Sequence, residues 1–169
     1  MGLDMYLSAR KYVSDYNYEQ GKTKEEFDSI LDTVGLTRGQ VSEDSPSIVV
    51  NVNIAYWRKA NAIHNWFIEN VAGGEDDCEP FYVSREELQE LHQTLLKVIA
   101  LKGNTTESVD PTVEETIEEL LPTQSGFFFG GTDYDDWYWE NVEWTEKRLA
   151  SILEDQAFAD FEFQYRASW

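Results

Sequence analysis

Leu3-Asp4-Met5-Tyr6-Leu7-Ser8-Ala9-Arg10-Lys11-Tyr12-Val13 at one end of the chain and Phe161-Glu162-Phe163-Gln164-Tyr165-Arg166-Ala167-Ser168-Trp169 at the other decide the fold. Leu3, Met5, Leu7, Ala9 and Val13 fall on one side of the first stretch, opposite Tyr6, Ser8, Arg10 and Tyr12. Apolar and polar residues alternate in the second stretch in the same way. A period of two is the signature of a strand with one face in a core. Between these strands the periodicity changes to that of helices. Thr23 and Glu26 have the spacing of a capping box, followed by Phe27, Ile30, Leu31 and Val34 and stopped by Gly35. The loop after it, 36–47, is polar and reads as mobile, and Ile48 to Val52 reads as a short strand. A helix is predicted over 53–71 on the stripe Tyr56, Ala60, Ile63, Phe67 and Val71. Phe81–Val83 reads as a short strand.

Ser84 and Glu87 form a second capping box before Leu88, Leu91, Leu95, Val98 and Ile99. Asp110-Pro111 opens a short helix that Pro122 ends. Phe127-Phe128-Phe129 lies between glycines, long enough for a short strand or a packed turn. Thr132 is the predicted cap of a last helix with Tyr134, Tyr138, Val142, Leu149, Ile152 and Leu153 inside. Strands at both termini bracketing about five helices imply an α+β fold, a small, mainly antiparallel sheet that pairs the terminal strands and is covered by helices. At 169 residues the chain is expected to form a single globular domain, 1–169.

Charge narrows the function. Thirty-three Asp and Glu against thirteen Lys and Arg give −20, which disfavours direct nucleic-acid binding because phosphates reward clustered cations. No base occurs between Lys102 and Lys147, while twelve acids do. Glu115, Glu118 and Glu119 share one helical face, as do Asp136, Glu140 and Glu143 farther on, with Asp133 just before them. Like charges at these spacings repel by about 0.2–0.5 kcal/mol per pair, so local stability does not account for them. They suit either a solvated face or a surface aimed at a basic partner, with Trp137, Tyr138 or Trp144 as aromatic anchors. One carboxylate per helical turn is one per ~5.4 Å, about threefold sparser than duplex charge. Imitating a nucleic acid therefore needs several acidic elements or a homodimer.

An alternative site lies around Tyr56, Arg58, Lys59 and His64. Two bases there could grip an anionic small molecule or nucleotide, and a histidine titrating near neutrality could act as acid or base in a small enzyme. The other constellations fail. Gly130-Gly131-Thr132 lacks a P-loop lysine and is followed by Asp133, Asp135 and Asp136. His64 and His92 have no zinc-ligand spacing, and Ser125 has no nucleophile-elbow frame. Cys78, the lone cysteine, sits among carboxylates that raise a thiol pKa. No metal, cofactor or catalytic residue is expected on the leading reading. Nor does the sequence contain an apolar run of membrane-spanning length or a secretory start, so a cytoplasmic setting is expected.

The opening Met1-Gly2-Leu3-Asp4-Met5-Tyr6-Leu7, the segment Tyr56-Trp57-Arg58-Lys59-Ala60-Asn61-Ala62-Ile63-His64, and Leu121-Pro122-Thr123 with Ser125-Gly126-Phe127-Phe128-Phe129-Gly130 together resemble a family of small acidic phage and prophage proteins of unknown function. The terminal Ser168-Trp169 belongs to the same likeness. It implies context rather than chemistry: a phage-encoded accessory protein in the host cytoplasm. In that setting an acidic interaction protein that binds and inhibits a host or defence protein is the leading expectation. The anionic-ligand site and a purely solubilising role for the charge are the alternatives.

Overall fold

The computed structural model describes residues 2–15, 22–44, 46–102 and 111–169. They form an α+β fold with a four-stranded, mainly antiparallel sheet. Its strands are β1 (Asp4–Ser14), β2 (Ser47–Arg58), β3 (Phe81–Val83) and β4 (Glu162–Ser168). The order across the sheet is β2-β1-β4-β3, so the two terminal strands pair at its centre as the alternation implied. The helices are α1 (Lys22–Val34), α2 (Asn61–Asn70), α3 (Arg85–Leu101), α4 (Pro111–Leu120) and α5 (Asp136–Glu154). The residues divide into two compact units, 1–9 with 53–169, and 10–52.

In the larger unit, alternation does what it must in a half-buried strand. Met5, Leu7 and Ala9 of β1 and Phe163, Tyr165 and Ala167 of β4 enter the core, while Glu162 and Arg166 stay exposed. Antiparallel register sets Phe81 opposite Tyr165 and Val83 opposite Phe163. Tyr165 stacks on Phe67 of α2 with ring centres 4.1 Å apart. Above this layer α3 lays Leu88, Leu91, Leu95 and Val98 against Val142, Leu149 and Ile152 of α5. The Ser84 cap is present: its hydroxyl accepts from the Glu87 N–H, and Glu87 returns the bond to the Ser84 N–H at 2.7 Å.

In the 10–52 unit, Val13, Phe27 and Leu31 make a small core, with Ile30, Val41 and Ile48 against it. Arg38 spans Asp15 and Asp28 and lies 5.1 Å from the Phe27 ring centre. Gly35, at φ +75°, lets the Leu36 N–H turn back to the Leu31 carbonyl and close α1.

Three expectations change. The helix predicted over 53–71 begins only at Asn61, because 53–58 continue β2. A strand and a helix can both claim Tyr56 and Ala60, and the junction is made by Lys59 in the left-handed region, φ +56°, with no glycine or proline to announce it. The last helix is capped by Asp135, which accepts from the Tyr138 N–H at 3.1 Å, not by Thr132. Helix α1 starts at Lys22, ahead of the expected Thr23 cap. Of the two readings of Phe127–Phe129, the structure has the turn. The 36–47 segment contains a 3₁₀ turn at Arg38–Gln40. The Asp110 cap lies outside the described residues.

A buried hydrogen bond joins the strand and helix layers. The Trp57 indole N–H donates to Thr145 Oγ1 at 2.7 Å, and both side chains are buried. Replacing Thr145 with Val keeps the shape but orphans that donor, so unfolding in urea should show a loss of about 1–3 kcal/mol. Thr145→Ser should retain most of the stability.

Candidate functional site

Helix α4 shows how composition becomes a charged face. Ile117 is fully buried and Val113 and Leu120 partly so, which turns Glu114, Glu115, Glu118 and Glu119 outward, all four exposed. At the start of α5, Asp133, Asp136 and Glu140 are exposed as well. Glu118 and Glu114 of α4 act on Tyr134, a half-buried residue bonded to Thr123 that lies between Asp133 and Asp136 in the sequence. Burial pushes its phenol up, and the charges of Glu118 and Glu114 push it the same way. The Tyr138 hydroxyl donates to the Leu121 carbonyl at 3.1 Å and fixes the start of α5 to the end of α4. Among the described residues, none of these seven carboxylates is in an ion pair.

Glu143 departs from the set. It is half-buried and paired with Lys102 at 2.5 Å, while Glu146 meets His92 at 3.1 Å. Its charge is thus spent on tying α5 to α3. Trp137, 52% exposed, projects beside Asp136. Trp144 is also exposed on one edge, but its ring packs against Trp57 at 5.6 Å, so it is partly structural.

A cleft of about 370 Å³, open to solvent, lies between the start of α2 and the start of α5. Lys59, Asp133, Asp135, Trp137 and Asn141 line it along with the backbone of Ala60–Ile63. Ala60 offers no capping side chain, and the first backbone bond of α2 runs from the His64 N–H to the Ala60 carbonyl. The N–H groups of Asn61, Ala62 and Ile63 therefore have no intrahelical acceptor. Asp133 and Asp135 line the same cleft, which favours cations over anions there.

Of the other residues expected to form an anion site, Arg58 stays beside Lys59, while Tyr56 and His64 are directed elsewhere. The Tyr56 hydroxyl donates to Asp4, on β1. Arg58 and Lys59 lie against Gly2. His64 is fully buried, with Nδ1 2.8 Å from the Tyr165 hydroxyl and Nε2 3.1 Å from Asp76. A carboxylate can only accept, so Nε2 carries the proton and Nδ1 accepts from Tyr165. Burial holds the His64 pKa below its usual value against the opposing pull of Asp76, and burial keeps the Tyr165 phenol protonated. His64 and Tyr165 are thus withdrawn from solvent, and only Asp76, 19% exposed, carries the chain of bonds to the surface.

Phe127 escaped the sequence reading. It is 95% exposed, yet its turn is tightly built. The Phe129 N–H bonds the Gly126 carbonyl at 3.1 Å, and the Leu3 N–H bonds the Phe128 carbonyl at 3.1 Å. Asn61 Nδ2 donates to the carbonyls of Phe129 and Gly131, and the Gln124 N–H donates to Asn61 Oδ1. Phe129 turns inward against His64 and Trp169. The glycine-flanked triplet was the available signal: burying the third ring in so tight a turn leaves the first outside.

Among the described residues, no group of three His, Cys, Asp or Glu side chains could hold a metal ion, and no helix is long and apolar enough to cross a membrane. No protein family, curated protein or solved structure matches the chain.

Three outcomes follow from this geometry. A Cβ at Gly126 would sit 2.6 Å from the Phe129 ring, so Gly126→Ala should cost about 1–3 kcal/mol by overpacking. Phe127→Ala should leave stability within about 0.5 kcal/mol by the same urea titration. His64, with a folded pKa below its unfolded 6.5, binds fewer protons folded than unfolded in the interval between the two values. Its contribution is present above pH 6.5 and is lost as pH falls toward the folded value. The unfolding midpoint should therefore drop as pH falls below 6.5, with a shallower drop in His64→Gln.

Proposed function

We propose that this is a non-enzymatic interaction protein that binds, and thereby inhibits, a basic or nucleic-acid-handling host or defence protein in a phage-infected cell. The observation carrying this reading is the set of seven exposed carboxylates without ion pairs among the described residues: Glu114, Glu115, Glu118 and Glu119 on α4, of which Glu114 and Glu118 act on Tyr134, and Asp133, Asp136 and Glu140 at the start of α5. Unpaired carboxylates sum their fields and steer a cationic partner during encounter. Trp137 beside Asp136 supplies apolar area that charge alone cannot, and Phe127 is a second exposed aromatic held in a fixed turn. The phage setting rests on the sequence resemblance.

An anionic small molecule in the cleft is supported by Lys59 and the three uncapped N–H groups, but the carboxylates of Asp133 and Asp135 oppose it. A cationic side chain of the partner is favoured there by Asp133 and Asp135 and opposed by Lys59.

The test is capture of host proteins by wild type and by the combined Glu118→Gln, Asp133→Asn, Asp136→Asn variant, each at low and high salt. A basic partner should be retained by wild type at low salt and lose affinity about tenfold or more at high salt or with the variant. Equal retention by both proteins at both salts would overturn the reading.

A further inference from the structure

The edge of the sheet carries a feature that acidic recognition does not use. Strand β2 ends the order β2-β1-β4-β3, so among the described residues it has a strand on one side only. Its later part is covered: Ile54, Ala55 and Trp57 are buried, and Arg148 Nε donates to the Ile54 carbonyl at 2.6 Å. Its first part, 47–52 in the smaller unit, is not. Val49 and Val52 are 46% and 48% exposed.

Backbone direction follows from one bond. The Asp15 N–H donates to the Pro46 carbonyl at 3.2 Å. In an antiparallel ladder facing and non-facing residues alternate. Ile48 and Val50 therefore turn their N–H and C=O groups toward β1, while Val49 and Asn51 turn theirs to the open edge.

Natural edge strands are usually blunted by Lys, Pro or an inward charge. Here no charged residue occurs from Ser45 to Trp57, in a chain that is 27% charged. Three features make a second copy of this chain the occupant that fits. The segment Ser47-Ile48-Val49-Val50-Asn51-Val52 is complementary to itself when run antiparallel. With Val49 of one copy opposite Asn51 of the other, Val50 crosses its own twin on the two-fold axis, and each facing pair exchanges two backbone bonds. The location suits it as well. Residues 10–52 hold eight acids and five bases, −3 of the total −20, so this is where two copies repel least. Finally, among the described residues of the smaller unit three apolar side chains are fully buried behind two strands and one helix, and a short ribbon of that kind is marginal until the sheet is extended.

We propose that two copies of the chain pair through the 47–52 edge of β2 into one continuous antiparallel sheet. Because both copies are strongly acidic, salt screens their repulsion and favours the pair, the reverse of its effect on a basic partner. The two readings therefore fail separately.

The experiment is sedimentation equilibrium on the purified full chain at low and high salt, with circular dichroism to verify the fold. The expected mass is twice the 19.6 kDa of one chain, with a dimer population that rises with salt. Asn51→Pro removes an N–H aimed at the edge and not at β1, and should raise the dissociation constant about tenfold or more. Val49→Lys, which keeps the backbone intact, should do the same and covers the case in which proline impairs folding. A single-chain mass at every concentration and salt would overturn the proposal. So would dimerisation that neither folded variant weakens.

Discussion

The side-chain amide of Asn61 holds together the surface on which the functional reading depends. Buried at the first turn of α2, it gives both amide hydrogens to the loop, one to the Phe129 carbonyl at 3.2 Å and one to the Gly131 carbonyl at 2.7 Å, and takes the Gln124 N–H on its oxygen. A buried amide left unpaired costs about 1–3 kcal/mol, so each bond is strongly preferred over its absence. The consequence is geometric. The loop that presents Phe127, the segment that carries Asp133 toward α5, and the start of α2 are indexed to one planar group. Preorganisation of this kind removes ordering entropy from a later association. It also explains how a glycine-bracketed run of three phenylalanines holds one conformation.

The sequence was most legible where one periodicity ran without competition. Both terminal strands, the Ser84 capping box and the buried stripe of α3 follow directly from alternation or from i, i+3, i+4 spacing. It was least legible at 53–60, where Ile54, Tyr56 and Ala60 satisfy two periods and the switch falls on a left-handed lysine. Tertiary pairing with β1 decided that stretch, and pairing partners are invisible to local pattern. The acidic faces were readable because helices impose their own geometry. Two facts about the site were not. Glu143 turns inward to Lys102, a partner forty-one residues away. His64, between Ile63 and Asn65 in the sequence, is withdrawn between Tyr165 and Asp76.

The chain of bonds through His64 shows how an acidic protein accommodates a buried histidine. Neutral imidazole satisfies both neighbours at once, accepting from Tyr165 and donating to Asp76, so neither ring nitrogen is left unpaired. Phe129 packs edge-on to the ring at 5.2 Å, which carries the arrangement into the loop that Asn61 anchors. A change in the state of His64 would therefore be felt first through Phe129.

The placement of pairs bears on whether the charge is only a solubilising coat. Where α5 crosses α3, acids find partners: Glu143 with Lys102 and Glu146 with His92, both half-buried at a helix contact. Where α4 and the start of α5 face outward, seven carboxylates have no ion pair among the described residues, although Lys59 lines the adjoining cleft. A coat selected for solubility alone gains from charge spread evenly over the surface, because self-repulsion rises as like charges approach. Like charges one helical turn apart on α4 repel one another, a local cost that charge placed for solubility alone does not require.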